Sequence, residues 1–279
     1  MRAQDMIRYG LFDEEGRMAA AITGLAATLA GIYRYPVKGM TAEALPRAAL
    51  EPGKRLAGDR RFAIAHGGGM SLDQASGWQP KKSFLMLMRD ERLALLEARF
   101  EEASGVLTLH RAGKQVARGN LHEPLGRTLI EQFLAAFMKA ELRGAPKLVE
   151  ALDGGLTDAR EAWLSLVNLA SVRDLGERII GREIDPLRFR ANLYVDGLAP
   201  WRERELVGRE IAIGPVRLAV SGRIKRCAAV NVNPATGARD VNVLRELAQG
   251  TGHEDIGVYA EVLSAGPLLP GAALTLPPG

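Results

Sequence analysis

Short clusters of β-branched and aromatic residues dominate the apolar pattern of this chain. TLAGIYRYPVKGM predicts a strand that ends at Pro36, because proline cannot continue a regular ladder. GDRRFAIAH predicts a second strand, which leads into GGGM, a loop whose glycines suit either a hairpin tip or a close approach to a ligand. RLALLEARFEEASGVLTLHR fits a helix or a hairpin by periodicity, and the alternation after its central SG favours two strands.

Helical periodicity is clearest after Pro124. Apolar residues there recur at a spacing near four, which predicts an amphipathic helix with proline in its first turn: Leu125, Leu129, Phe133, Phe137 and Met138. Two shorter helices are predicted, one over residues 171–180 with Ser171 as its N-cap, and one in DVNVLRELAQ with Asp240 as its cap.

Further strands are predicted at NLYVDG, EIAIG, VRLAVSG and GVYAEVLSAG, each bounded by a glycine turn. Helices are too few to alternate with strands, which argues against a doubly wound sheet and predicts a mainly β (α+β) fold. We expect an extension over residues 1–29, an N-terminal β-barrel-like domain over 30–145, and a second β-barrel domain with a few short helices over 146–279.

Composition and charge narrow the possible partners. The 279 residues include 37 basic and 33 acidic side chains, a balance too mild to predict a nucleic-acid surface and better suited to a small anionic ligand. One cysteine cannot form an internal disulfide, so a reducing compartment is expected. The apolar run from Met18 to Gly31 is too short to span a bilayer and follows acidic residues, which predicts a cytoplasmic protein without a membrane span.

Cys227 follows Lys225 and Arg226 directly. Nearby cations stabilise a thiolate and lower its pKa, which would make this sulfur reactive. On an extended strand only Lys225 would share the side of the cysteine, whereas in a tight turn both cations could converge on it. From these residues alone, a buried and inert thiol is an equally good interpretation, because free cysteine is often buried.

Six stretches, taken in order, resemble the signature segments of the MOSC family, the domain named for the C-terminal part of molybdenum-cofactor sulfurase. They are YRYPVKGM, GDRRFAIA, SLVNLASVRDL, DPLRFRANLYVDGLAPW, KRCAAVNVNPATGARD and DIGVYAEVLSAG. The resemblance implies a MOSC N-terminal β-barrel domain followed by a MOSC domain, and it implies binding of the molybdenum cofactor. It makes Cys227 the catalytic sulfur, either as thiolate ligand to molybdenum or as carrier of a persulfide.

The resemblance also implies residues that bind the cofactor and its phosphate. Lys38 matches a position near the cofactor, and Arg60 matches an arginine that reaches the phosphate or the pterin, a role that a register shift would give to Arg61. Arg190 and Asn192 match an Arg-x-Asn motif, and alternation would place both on one face of a strand.

Ser171 matches a hydroxyl that contacts the cofactor. Arg226, next to Cys227, is also predicted to bind the cofactor. Two departures from the family pattern stand out. Gly39 replaces a residue that is often serine, which removes a side-chain donor, and Ala191 replaces a proline.

Three functions remain open. The leading hypothesis is a molybdenum-dependent reductase of small N-oxygenated compounds, which is implied by the resemblance of the two-domain architecture to amidoxime-reducing and related bacterial proteins. A separate donor protein would supply the electrons, since one cysteine cannot hold an iron–sulfur cluster of four thiolates. The alternative is a sulfur carrier, in which Cys227 receives a persulfide from a separate pyridoxal-phosphate-dependent cysteine desulfurase. Pyridoxal phosphate itself is not expected in this chain. The third hypothesis is a non-enzymatic carrier of the cofactor.

Overall fold

A computed structural model describes residues 27–67, 74–75, 77–152 and 155–276. The predicted extension over residues 1–29 lies outside the described residues except for its last three, and so does the GGGM loop beyond Gly67. Within the described residues, no helix has the length and the apolar character that crossing a bilayer requires.

The described part of the chain is mainly β, as the strand patterns predicted, with sixteen strands numbered here in chain order. The strands are β1 Thr28–Arg34, β2 Glu43–Leu45, β3 Ala48–Leu50, β4 Phe62–Ala65, β5 Gln74–Ala75, β6 Glu97–Glu101, β7 Val106–Arg111, β8 Lys114–Asn120 and β9 Lys147–Ala151. They continue with β10 Leu164–Asn168, β11 Leu193–Asp196, β12 Glu210–Ile213, β13 Val216–Lys225, β14 Asp255–Val262, β15 Gly266–Leu268 and β16 Leu274–Thr275.

Three α-helices lie in the same residues: α1 Pro124–Phe137, α2 Leu169–Asp174 and α3 Val243–Thr251. The first confirms the prediction of an amphipathic helix with proline in its first turn, and it buries Ile130 and Leu134. A single wider π-helical segment, Leu175–Ile180, continues α2.

The predicted caps of the two shorter helices were wrong. Asn168 caps α2, where its side chain accepts a hydrogen bond from the Ala170 N–H, and Ser171 lies inside the helix. Asn242 caps α3 by accepting from the Arg245 N–H. Asparagine is as good an N-cap as serine or aspartate, so residue type alone could not separate these neighbouring candidates.

An eight-stranded sheet joins the N-terminal and C-terminal halves of the chain. Its strand order is β16-β12-β13-β14-β10-β11-β1-β2. Strand β1 pairs antiparallel with β11, with Ile32 opposite Leu193, and β2 continues the sheet beyond it. A second pairing between the halves is the two-stranded sheet of β3 and β15. The halves are therefore connected by backbone hydrogen bonds as well as by packing.

A register shift between Leu29 and Gly31 interrupts the alternation along β1. As a result, Leu29 and Ile32 both pack in the cluster on one face of the large sheet, whereas Tyr33 packs on the other face with α2 and α3. The N-terminal half has its own core between β4, β6, β7 and α1, where Phe62 and Phe100 meet edge to face at 4.9 Å. The hairpin of β6 and β7 confirms the two strands predicted around the SG turn.

Candidate functional site

A cleft opens where the two halves of the chain meet. It contains about 1050 Å³ of empty space, part of it open to solvent. Six of the seven residues that the sequence predicted for the site line this one cleft, although they are scattered along the chain: Lys38, Arg60, Arg190, Asn192, Arg226 and Cys227. The seventh, Ser171, is not among the lining residues.

Cys227 lies just beyond the end of β13, at the start of the 3₁₀ turn Ala228–Asn231. Its side chain is half-buried, and its carbonyl accepts a hydrogen bond from the Val230 N–H. The thiol therefore lies at a cleft wall and not inside an aliphatic core.

The two cations beside Cys227 point in different directions. Lys225 is exposed and pairs with Glu254 at 2.9 Å, so strand alternation does not direct it to the thiol as predicted. Arg226 folds inward, and its guanidinium donates to the carbonyls of Ile256 and Phe189. Burial lowers the pKa of Arg226, and these carbonyls hold its guanidinium at the cleft wall.

Arg60 and Arg190 share the ring of Tyr35. Their guanidinium carbons lie 4.1 and 4.3 Å from the centre of this buried ring. Both arginines adopt left-handed backbone angles, with φ of 48° and 51°, a conformation that non-glycine residues seldom adopt. Burial lowers the pKa of Arg190 to about 10, so its guanidinium still carries a charge at neutral pH. The side-chain positions of both arginines are thus strongly constrained.

An ion pair with Asp59 orients the Arg60 guanidinium. The carboxylate of Asp59 is buried, accepts the Tyr35 N–H at 2.9 Å, and accepts Arg60 Nη1 with both oxygens. Arg61 points elsewhere and pairs with Glu150. Asp59 therefore pairs with Arg60 and not with Arg61, and Arg60 is the arginine that faces the cleft.

Arg190 and Asn192 reach the cleft, but not through alternation along a strand. Arg190 ends the 3₁₀ turn Pro186–Phe189, and Asn192 comes directly before β11. The Asn192 amide accepts from the main chain and hydroxyl of Ser165 and donates to the carbonyl of Tyr33. This buried amide ties β1, β10 and the start of β11 together beside the cleft.

The Lys38 side chain lines the cleft and contacts a segment that follows β9. Its Nζ donates to the Leu156 carbonyl at 2.9 Å and to Asp158 Oδ1 at 2.6 Å. Burial lowers the pKa of the Lys38 ammonium group. Burial by itself would raise the pKa of the Asp158 carboxyl group, but the attraction to Lys38 outweighs it, and the pKa of Asp158 lies below its ordinary value. The two groups form a charged pair at neutral pH.

Gly39 adopts a left-handed backbone conformation, with φ of +87°. Residues with a side chain seldom adopt this conformation, so a serine at position 39 would be strained here. The nearest atom to a Cβ built there is Leu93 Cδ1, at 2.6 Å.

Ser171 serves a buried network away from the cleft. Its Oγ donates to Glu203 Oε2 at 2.7 Å and accepts the Trp201 N–H at 2.7 Å. Asn168 also donates to Glu203. Burial raises the pKa of Glu203. This network fixes α2 against the 3₁₀ turn Arg202–Leu206.

Sequence reasoning missed several residues that shape the cleft, among them Arg55, Asp158 and the aromatic pair of Trp163 and Tyr259, whose ring centres are 5.2 Å apart. Arg55 donates to Thr157 and to the carbonyls of Ala159 and Arg160. In the sequence, the charged residues of GLTDARE are the one feature that points to this part of the cleft. The contacts themselves could not be predicted, because the partners lie about a hundred residues apart in the chain.

The cleft is strongly cationic. Among the described lining residues, eight are lysine or arginine and two are aspartate. Arg190 and Arg226 are held by carbonyl oxygens, which fix a guanidinium without neutralising it. Such a surface favours an anionic ligand. The described residues include no group of three His, Cys, Asp or Glu side chains placed to share a metal ion.

Both segments of the chain match models of known domain families. The model of the MOSC N-terminal beta barrel domain matches residues 26–152, and the model of the MOSC domain matches residues 153–275. The chain belongs to the MOSC family. Its cleft therefore lies between the N-terminal barrel segment and the MOSC segment, and Cys227 belongs to the latter.

Two curated relatives match part of this chain. The chain is 31% identical over 125 residues to Molybdenum cofactor sulfurase of Anopheles gambiae, a match that covers 41% of this chain and 16% of the relative. It is 30% identical over 111 residues to Molybdenum cofactor sulfurase 2 of Culex quinquefasciatus, covering 36% of this chain and 14% of the relative. The chain thus spans a small part of the length of these relatives.

Solved structures show more distant likenesses. YiiM from Geobacillus stearothermophilus is 23% identical with a TM-score of 0.32, covering 40% of this chain and 53% of that one. The YUAD protein from Bacillus subtilis is 12% identical with a TM-score of 0.42, covering 89% of this chain and 94% of that one.

Proposed function

We propose that this MOSC protein binds the molybdenum cofactor in the cleft, with Cys227 as thiolate ligand to molybdenum, and that it reduces small N-oxygenated compounds. The observation that carries the proposal is a half-buried thiol in the same cleft as eight lysine and arginine side chains. Soft thiolate sulfur is a good ligand for a metal of this kind, and a cationic cleft suits a cofactor that ends in a phosphate.

The residues of the cleft fit the cofactor in chemistry as well as charge. Arg60, Arg190 and Lys38 would hold the phosphate end, because each has its charged group at the cleft and each is positioned by hydrogen bonds. Arg188 Nε is a buried donor without a hydrogen-bond partner among the described residues, and Arg188 also lines the cleft. Arg226 and Asn192 would contact the pterin.

The bound cofactor would supply a metal that changes oxidation state. In the overall reaction the N–O bond would break and two electrons and two protons would be consumed, so that an N-hydroxyl compound gives the N–H compound and one water. A separate electron-donor protein would provide the electrons. The part of this chain would be to ligate the metal through Cys227, to neutralise the phosphate, and to position the substrate. We place this activity in the cytoplasm.

Metal analysis of purified protein tests the proposal. The protein is produced in a host that makes the cofactor, and molybdenum per chain is compared between wild type, Cys227→Ser and Ser221→Ala, which changes an exposed hydroxyl on β13. We expect stoichiometric molybdenum in wild type and in Ser221→Ala, and loss of most of it in Cys227→Ser. Undiminished molybdenum in Cys227→Ser would refute thiolate ligation as the anchor. Reduction of hydroxylamines by a dye reductant then tests turnover.

A second candidate is sulfur transfer, which the names of the two insect relatives favour. In that role Cys227 would accept a persulfide from a separate cysteine desulfurase carrying pyridoxal phosphate, without binding that cofactor itself. The role predicts cyanide-releasable sulfur on Cys227 and little tightly bound molybdenum. A cofactor carrier without catalysis would instead show stoichiometric molybdenum and no turnover.

A further inference from the structure

One wall of the cleft is apolar and comes from a rigid turn of the N-terminal half. The turn runs from Met86 to Asp90, and the N–H groups of Arg89 and Asp90 both donate to the Met86 carbonyl. The buried Asp90 carboxylate accepts the Met86 N–H at 2.7 Å and is held by Arg89. Because the backbone of the turn is fixed in this way, Met86 and Met88 present a defined surface to the cleft, while the Leu87 side chain is anchored in the N-terminal core.

Arg239 attaches this turn to the segment that carries the thiol. Its Nη2 donates to the Met88 carbonyl at 2.9 Å, and its Nη1 donates to the carbonyl of Ala228, the neighbour of Cys227, at 3.2 Å. Glu91 pairs with the same guanidinium at 3.2 Å. One arginine from the MOSC segment therefore sets the position of the methionine turn relative to Cys227.

The apolar wall continues on the thiol side of the cleft. Ala229 and Val230, in the 3₁₀ turn after Cys227, also line the cleft, and Val230 is buried. This wall is one apolar part of the cleft, and the aromatic pair of Trp163 and Tyr259 is another. Methionine side chains are flexible and polarizable, so they pack well against planar or aromatic groups of varied shape. Burying such a group against them removes apolar surface from water.

We propose that the wall Met86–Met88, positioned by Arg239, determines substrate specificity and selects N-oxygenated compounds with a planar apolar body over small hydrophilic ones. This inference rests on the proposed function for its reaction, but the wall makes a separate prediction about binding. Arg239 acts as a positioning residue, and Met86 and Met88 contact the substrate body.

A pair of amidoximes tests the selection, because benzamidoxime and acetamidoxime carry the same reacting group on different bodies. We expect wild type to favour benzamidoxime in kcat/KM. Met88→Gln should reduce this preference by roughly tenfold, the order expected for loss of an apolar contact, and Arg239→Lys should reduce it as well. Molybdenum content should be unchanged in both. Leu129→Gln, at an exposed position on α1, is the matched control and should leave the preference intact.

Methyl NMR gives a readout that does not depend on turnover. Protein labelled at the methionine methyl groups is titrated with benzamide and with acetamide, which are unreactive and differ only in their bodies. The Met86 and Met88 signals should shift with benzamide and not with acetamide at equal concentration. If they do not shift, or if the amidoxime preference survives both substitutions, the wall is not the selective element even where reduction occurs. Selective shifts without any reduction would refute the proposed reaction and leave the binding wall standing.

Discussion

The Arg60 guanidinium donates a 2.8 Å hydrogen bond to the main-chain carbonyl of Arg190, a residue 130 positions later in the chain. Both residues have positive φ, and both guanidinium groups contact the Tyr35 ring. Strained backbone persists only where the surroundings fix it, and here each arginine is part of what fixes the other. The part of the cleft that holds Arg60 and Arg190 is therefore one structural unit made from both segments.

Arg60→Ala should damage both stability and binding. The substitution removes the ion pair to the buried Asp59 carboxylate and the hydrogen bond to Arg190. Because it leaves a buried charge poorly compensated, we expect a loss of about 3 kcal/mol in the free energy of unfolding. Molybdenum content should fall with it. Chemical denaturation and metal analysis measure the two effects.

The adjacent arginine provides the matched control. Arg61 pairs with Glu150 and Glu102 outside the cleft, and Glu150 keeps a second partner in Arg127. Arg61→Ala should therefore cost no more than about 1 kcal/mol and leave molybdenum content unchanged. Equal effects of the two substitutions would contradict the assignment of Arg60 to the cleft.

Tyr35 should act through its ring and not through its hydroxyl. The hydroxyl donates a long hydrogen bond of 3.4 Å to the Ala191 carbonyl and also interacts with the Tyr194 hydroxyl, so Tyr35→Phe should cost about 1 kcal/mol of stability. Tyr35→Leu removes the ring from two guanidinium groups and should cost about 3 kcal/mol or more. Urea unfolding of both variants makes the comparison, and a larger effect of Phe than of Leu would disprove it.

Asp158→Asn should strengthen anion binding. Asp158 is ionised at neutral pH and forms an ion pair with Lys38. Replacing its carboxylate by a neutral amide therefore leaves the cleft more positive. We expect the Kd for inorganic phosphate to fall by roughly three- to tenfold in low salt and less in high salt. Titration calorimetry at both salt concentrations measures this change. Asp196→Asn, which disturbs an exposed pair with Arg173, should have no such effect.

Glu203→Gln should flatten the pH dependence of stability. Burial raises the pKa of Glu203 above its ordinary value of 4.5, so the folded protein binds this proton more tightly than the unfolded chain does. Its contribution therefore favours folding increasingly as pH falls from the raised value toward 4.5, and it disfavours folding above that window. Glutamine can accept the same hydrogen bonds without the charge.

Urea unfolding between pH 4.5 and pH 8 tests this prediction. The variant should be as stable as wild type or more stable at pH 8, and the difference should shrink toward the acid end. Greater destabilisation of the variant at pH 8 than at the acid end would mean that the ionised carboxylate supports the fold.

Much of the fold could be predicted because its signals are local. Proline before an apolar repeat located α1, and alternation around SG located the hairpin of β6 and β7. The caps failed because Asn168 and Asn242 lie within three residues of equally good candidates. Only the packed helix determines which of these side chains reaches a free N–H.

For the site as well, some features could be predicted from the sequence and others depend on contacts between distant residues. Family motifs located Cys227 and three arginines of the cleft, Arg60, Arg190 and Arg226. They did not show that Asp59 is buried or that Lys38 is paired with Asp158. These contacts join residues far apart in the chain, and no periodicity encodes them. Arg190 and Asn192 reach the cleft for a different reason from the predicted one, since a left-handed turn replaces the expected strand.

Strand β1 also limits how the molecule can move. Because it is hydrogen-bonded to β11 on one side and to β2 on the other, the N-terminal and C-terminal segments cannot swing apart as a hinged pair without tearing the large sheet. Admission of a bulky ligand must then rely on small displacements at the rim, such as rotation of the Lys38 and Asp158 side chains, while the sheet beneath stays whole.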